Sequence, residues 1–68
     1  MSVYKVIELV GTSPVSWEEA AKEAIQLAKK SLRDLRIAEV TKLDVRLDDG
    51  EIIEYRVRLL VSFKYEHE

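Results

Sequence analysis

Residues 36–65 read RIAEVTKLDVRLDDGEIIEYRVRLLVSFKY, and this stretch decides the fold. Two long runs rich in β-branched and apolar residues, 36–47 and 51–65, flank Asp48-Asp49-Gly50. Asp-Gly between extended runs is a strong hairpin signal, because the tight turn that suits twisted strands needs positive φ at its centre. The turn is either Asp49-Gly50 or a four-residue loop from Asp48 to Glu51. Both place Leu47 opposite Ile52. Counting back from there, Leu43 faces Arg56, Thr41 faces Arg58, Val40 faces Leu59, Glu39 faces Leu60 and Ala38 faces Val61.

Alternation along this register predicts two unlike faces. One carries Ala38, Val40, Tyr55, Val57, Leu59, Val61 and Phe63 and is expected to pack on a helix. The other carries Ile37, Glu39, Thr41, Leu43, Arg56, Arg58, Leu60 and Ser62. It is too apolar for a solvated surface and too charged for a private core. One helix cannot cover both faces. The second face, with Glu39, Thr41, Arg58 and Leu60, is therefore the candidate interface between subunits.

The helix lies upstream. Residues 3–10 read as a first strand, broken by Gly11-Thr12-Ser13-Pro14. Ser16-Trp17-Glu18-Glu19 reads as a capping box, in which the Ser16 hydroxyl accepts from the Glu19 amide and the Glu19 side chain reaches back. Ser13 with Pro14 at the first helical position is a competing start. The helix is expected to run to about Leu32–Leu35, with Ala20, Ala21, Ala24, Ile25, Ala28, Ser31, Leu32 and Leu35 on one stripe. Glu18, Lys22, Gln26, Lys29 and Arg33 lie on the other side. Alanine on the buried stripe lets the helix lie close to its sheet. Acids in the first turn and bases in the last suit the helix dipole.

Composition bounds the function. A chain of 68 residues has room for one domain, 1–68, and its own core leaves it marginal. Without cysteine it has neither disulfides nor thiolate zinc sites, which leaves oligomerisation as the stabiliser. Lys+Arg is 11 and Asp+Glu is 13, interspersed along the chain. That balance argues against nucleic acid, which needs a concentrated positive patch. No apolar run approaches the roughly 20 residues of a membrane span. The N-terminus lacks the apolar stretch of a signal peptide, so a cytoplasmic protein is expected.

The order strand, Gly-Thr-Ser, serine-capped alanine-rich helix and two long strands resembles the dodecin family. The resemblance is carried by Tyr4-Lys5-Val6-Ile7-Glu8-Leu9-Val10-Gly11-Thr12-Ser13, by Ser16 with Ala20-Ala21 and Ala24-Ile25, by Ala38-Glu39-Val40, by Tyr55-Arg56-Val57 and by Val61-Ser62-Phe63. It spans nearly the whole chain. It implies an α+β fold, a β-α-β-β subunit whose three-stranded antiparallel sheet partly wraps one helix. It further implies a hollow homododecamer with helices outward and sheets lining the inside. Many members bind pairs of flavins, FMN or riboflavin, between subunits, and store or shield the flavin without catalysing with it. At −2 per chain, twelve copies carry −24, which suits a soluble shell that repels polyanions.

Two positions depart from the flavin-binding pattern. The residue before Ala-Glu-Val, a tryptophan that stacks on the flavin in those members, is Ile37 here. The residue after the tyrosine of the third strand, a glutamine that bonds the ring edge, is Arg56. Isoleucine offers no π-face. Arginine offers only donors where glutamine offers a donor and an acceptor. In the register above the two share a face but lie roughly 20 Å apart along the strand, so a joint site needs more than one subunit. Gly-Thr-Ser-Pro-x-Ser-Trp without the stacking tryptophan resembles the calcium dodecin branch, which raises calcium or another cation as the ligand.

Other residues carry weaker signals. Arg56 and Arg58 with Glu39 suit an anion site or an ion-pair network between subunits. Asp44, Asp48, Asp49, Glu51 and Glu54 offer oxygens to calcium, but Arg46 and Asp49 fall where an EF-hand loop needs an acid and a glycine. Trp17 reads as a helix-end residue covering the sheet edge, and Tyr4, Tyr55 and Tyr65 as packing residues. His67 reads as a tail residue. With two glycines there is no phosphate loop, and with no cleft inside so short a chain, no enzyme is expected.

Overall fold

The computed structural model describes residues 1–65. Strand β1 (Tyr4–Ser13) leads to helix α1 (Trp17–Ser31), and strands β2 (Leu35–Asp48) and β3 (Glu51–Lys64) follow. The sheet order is β1-β3-β2, antiparallel throughout, so the last strand takes the centre. This is the expected β-α-β-β arrangement. Asp49 and Gly50 have φ of 52° and 79°, the positive pair that a two-residue hairpin turn requires.

Helix α1 starts where its cap dictates. The Ser16 hydroxyl accepts from the Glu19 amide at 3.0 Å. The Glu19 carboxylate lies 3.8 Å from the Lys22 ammonium and does not close the box. Ser13 is no cap: it ends β1, and its hydroxyl accepts from the Val15 amide at 3.0 Å. At the other end the Leu32 amide donates to the Ala28 carbonyl at 2.9 Å. Asp34 then adopts a φ of 57° and turns the chain into β2. Leu35 therefore belongs to the sheet, not to the helix stripe, and pairs with Phe63.

Gly11 does not break β1. The strand runs on to Ser13, and Gly11 pairs with Val57. A Cβ at Gly11 would collide with the Ala20 carbonyl and lie 3.1 Å from the Ala24 Cβ. The glycine thus marks a close approach between backbone and helix. Across it, Ala20 and Ala24 pack on Val57, Leu59 and Val61, with Ile7, Leu9, Ala21, Leu35 and Ala38 around them. Small side chains on the helix and branched ones on the central strand make a thin core.

That core is small for the chain. The molecule measures 52 × 20 × 13 Å with a radius of gyration of 14.0 Å, against about 11 Å for a compact domain of this length. Val6, Val10, Leu27, Ile37, Val40, Leu43, Leu47 and Ile52 are all exposed. Exposed apolar surface on this scale marks an interaction surface. Among the described residues no helix is long and apolar enough to cross a membrane.

The β2–β3 ladder departs from simple counting. Its pairs Ala38–Val61, Glu39–Leu60, Val40–Leu59 and Leu47–Ile52 match the expected register. Between Val40 and Lys42 the register slips, leaving Thr41 as an extra residue on β2, and a second slip near Ile53 restores it. Thr41 therefore does not pair with Arg58, nor Leu43 with Arg56. Their partners are Lys42–Arg58, Leu43–Val57 and Asp44–Arg56. A bulge reverses which side later residues face. Leu43 consequently joins Trp17, Ala21, Val40 and Val57 around an apolar recess of about 280 Å³ on the helix side.

Candidate functional site

The sheet face turned from the helix is the candidate site. Pairing across β1, β3 and β2 builds it in rungs: Val6–Ser62–Ile37, Glu8–Leu60–Glu39, Val10–Arg58–Lys42 and Thr12–Arg56–Asp44. Its composition is mixed, as the alternation predicts, with Leu60 half-buried at the centre and Ile37 66% exposed at one edge. The Thr41 bulge brings Lys42 and Asp44 onto this face in place of Leu43.

Arg56 is held within its own chain. Its Nε and Nη2 donate to the two Asp44 carboxylate oxygens at 2.7 and 3.0 Å. A fork-on-fork pair of this kind is among the stronger ionic hydrogen bonds. The Arg56 hydrogen bond pulls the Asp44 carboxyl below the usual carboxylate range. Slight desolvation opposes it, and the nearby charges of Arg56, Arg58 and Lys42 add to it. The guanidinium is raised in turn, first by the same bond. Beside this pair, Arg46 bonds Glu54 at 3.1 Å, and Arg58 lies 3.5 Å from Glu8. Glu39 takes no part in any of these and has no ion pair among the described residues of its own chain, and the expected network of Arg56, Arg58 and Glu39 is one between subunits.

The two positions that resemble flavin contacts stay apart. Ile37 pairs with Ser62, whose hydroxyl lies 3.4 Å from the Ile37 carbonyl as its donor. Arg56 stands six positions further along β3, roughly 20 Å away. Thr41 sits in the bulge and donates its hydroxyl to the Arg58 carbonyl at 3.2 Å. The hairpin acids do not converge: Asp44 and Glu54 are taken by arginines, and Asp48, Asp49 and Glu51 are exposed at the tip. Among the described residues no group of three or more acidic or histidine side chains is placed to hold a metal ion. His67 lies outside the described residues.

Trp17 belongs to the other side of the sheet. Its ring meets Tyr55 edge-on at 5.2 Å and its indole nitrogen donates to the Asp44 carbonyl at 3.0 Å. It covers the sheet beside the helix start, as expected. The pairing of Asp44 with Arg56 is what simple counting missed. Its signal was present: apolar residues fall on even numbers at Ala38 and Val40, then on odd numbers at Leu43, Val45 and Leu47. A change of phase in a strand marks a bulge.

The dodecin family model matches residues 3–66. Among curated relatives, calcium dodecin of Mycobacterium tuberculosis is 55% identical over 94% of this chain and 90% of its own length. Dodecin of Thermus thermophilus is 41% identical over 94% and 93%. Among solved structures, dodecin from Streptomyces coelicolor superposes with a TM-score of 0.93 at 34% identity, covering 98% of this chain and 96% of that one. The crystal structure of the M. tuberculosis calcium dodecin, described as calcium chelating with a novel calcium-binding site, gives 0.86 at 52% identity over 96% and 93%.

Proposed function

Because this chain belongs to the dodecin family, we propose that it works as a homododecameric binding shell that takes up calcium and does not stack a flavin. The observation that carries this reading is the state of the two flavin-like positions. Ile37 supplies no aromatic face, and Arg56 has its fork engaged by Asp44. A flavin edge would meet an arginine already clamped, on a face whose described strand residues offer Tyr4 as their one aromatic ring, at the far end of β1. The calcium dodecin of M. tuberculosis, at 55% identity, supports the cation in its place.

Calcium wants six to eight oxygens. The described part of one chain gathers no such set, and we place the ligands between copies, on the sheet face that meets other subunits. Glu39 is the carboxylate best placed to supply one of them. It is exposed, on the uncovered face, and engaged by no arginine or lysine among the described residues. Leu60 and its neighbours Glu39, Thr41 and Arg58 form the contact between copies. The role is uptake and storage, with no catalytic step.

Calorimetric titration with calcium, on protein whose assembled mass is verified by light scattering, tests the reading. Saturable heat is expected, weakened in Glu39→Gln, with riboflavin fluorescence unquenched by the same sample. Saturable riboflavin quenching at a fixed ratio per subunit, with no calcium heat, would restore flavin storage.

A further inference from the structure

Lys42 and Arg58 stand directly opposite each other on β2 and β3. Like charges at facing ladder positions repel. An unbulged ladder would avoid this, because Thr41 would then face Arg58 and Lys42 would turn toward the helix. The bulge creates the apposition, and the Thr41 hydroxyl fixes it by donating to the Arg58 carbonyl at 3.2 Å. Bulges recur where a side chain has to be re-aimed.

Little within the chain offsets the two charges. Arg58 reaches Glu8 through one nitrogen at 3.5 Å, and its side chain remains 42% exposed. Lys42 has no ion pair among the described residues. Asp44 is the nearest acid along β2 on this face, but both of its oxygens are taken by Arg56. The result is a guanidinium and an ammonium at facing positions of the uncovered sheet face, at the contact between copies, with their charge only partly offset by acids of their own chain.

We propose that Lys42 and Arg58 form a binding site for a phosphate group, as inorganic phosphate or as a phosphomonoester. A dianionic phosphate presents oxygens to both cations at once. The guanidinium bonds two of them in parallel, and the ammonium adds a compact charge. The phosphate removes the repulsion that the bulge introduces. This site is separate from the calcium reading, since it uses cations and not carboxylates.

Calorimetry on the intact assembly in low-salt, phosphate-free buffer tests it, with sodium phosphate and glycerol 3-phosphate as separate probes. Both are expected to bind saturably if the phosphate group suffices, and the ester alone if the site takes phosphomonoesters. Lys42→Ala and Arg58→Ala should each weaken binding about tenfold or more, as loss of a charged hydrogen bond does. Lys42→Arg should restore binding, and Lys22→Ala on the helix should leave it unchanged. Absence of saturable binding by either probe at millimolar concentration would overturn the proposal. So would affinity unchanged in Lys42→Ala. Disassembly of Lys42→Ala while Lys42→Arg stays assembled would also overturn it, because Lys42 would then belong to an ion pair between copies.

Discussion

Trp17 donates its indole N–H to the backbone carbonyl of Asp44 at 3.0 Å, across 27 positions of the chain. The bond pins the start of α1 to β2 on one side of the sheet. On the other side the carboxylate of the same aspartate clamps Arg56. Asp44 therefore joins the helix cover to the candidate site. Because a bulge sets its orientation, the two faces are fixed together.

Trp17→Phe keeps a ring against Tyr55 and removes the donor. It should lower stability by about 1 kcal/mol, the ordinary net worth of one hydrogen bond. Urea unfolding of wild type and variant measures the difference. An unchanged midpoint would remove this bond from the account of how the helix is held.

Gly11→Ala forces a methyl group against the Ala20 carbonyl. Overpacking of this kind costs about 1–3 kcal/mol. Thermal unfolding should shift downward, while the exposed Gly50→Asn change in the turn should be tolerated better. A neutral Gly11→Ala would show that α1 can lift away from β1.

The Asp44–Arg56 pair makes stability depend on acid. The Asp44 carboxyl is held below its ordinary value of 3.8 in the fold, chiefly by the Arg56 hydrogen bond. A folded pKa below the unfolded one means the contribution is full above the unfolded value. It is lost as pH falls through the folded value. Wild type should therefore lose stability on acidification more steeply than Asp44→Asn, with the gap between the two curves closing below the ordinary carboxylate range. Parallel curves would show the pair to be inert. Arg56, whose own pKa is raised, stays charged throughout this window.

Leu60→Lys places a third cation beside Arg58 and Lys42 in the middle of the uncovered face. Assembly should fail, because a buried unpaired charge at a contact centre is costly. Size-exclusion chromatography reads the result. A retained elution volume would move the subunit contact off this face.

The parts of the fold that were legible in the sequence are the local ones. Asp49-Gly50 specified its turn and Ser16 its helix start, each through chemistry complete within four residues. The family resemblance supplied the rest of the architecture. What counting could not supply depended on tertiary contact. Gly11 looks like a breaker until a helix is laid on it. Thr41 and Ile53 are bulged residues, and period-2 reading carries a register straight through such positions. That error hid the pairing of Asp44 with Arg56 and placed Leu43 on the wrong face. It also gave Arg56 an apolar partner where the fold gives it a carboxylate. Ile37 was correctly placed on the uncovered face because it lies between the Thr41 bulge and a further register shift between Leu35 and Ile37, where simple counting still holds.

The most direct measurement is the solution mass by multi-angle light scattering. A chain of 7.9 kDa with this much exposed apolar surface should not persist alone, and twelve copies give about 95 kDa. The account predicts that mass as a single species. A folded monomer of 7.9 kDa, stable across dilution, would contradict it, because the uncovered face would then be ordinary solvated surface and the shell reading would fall.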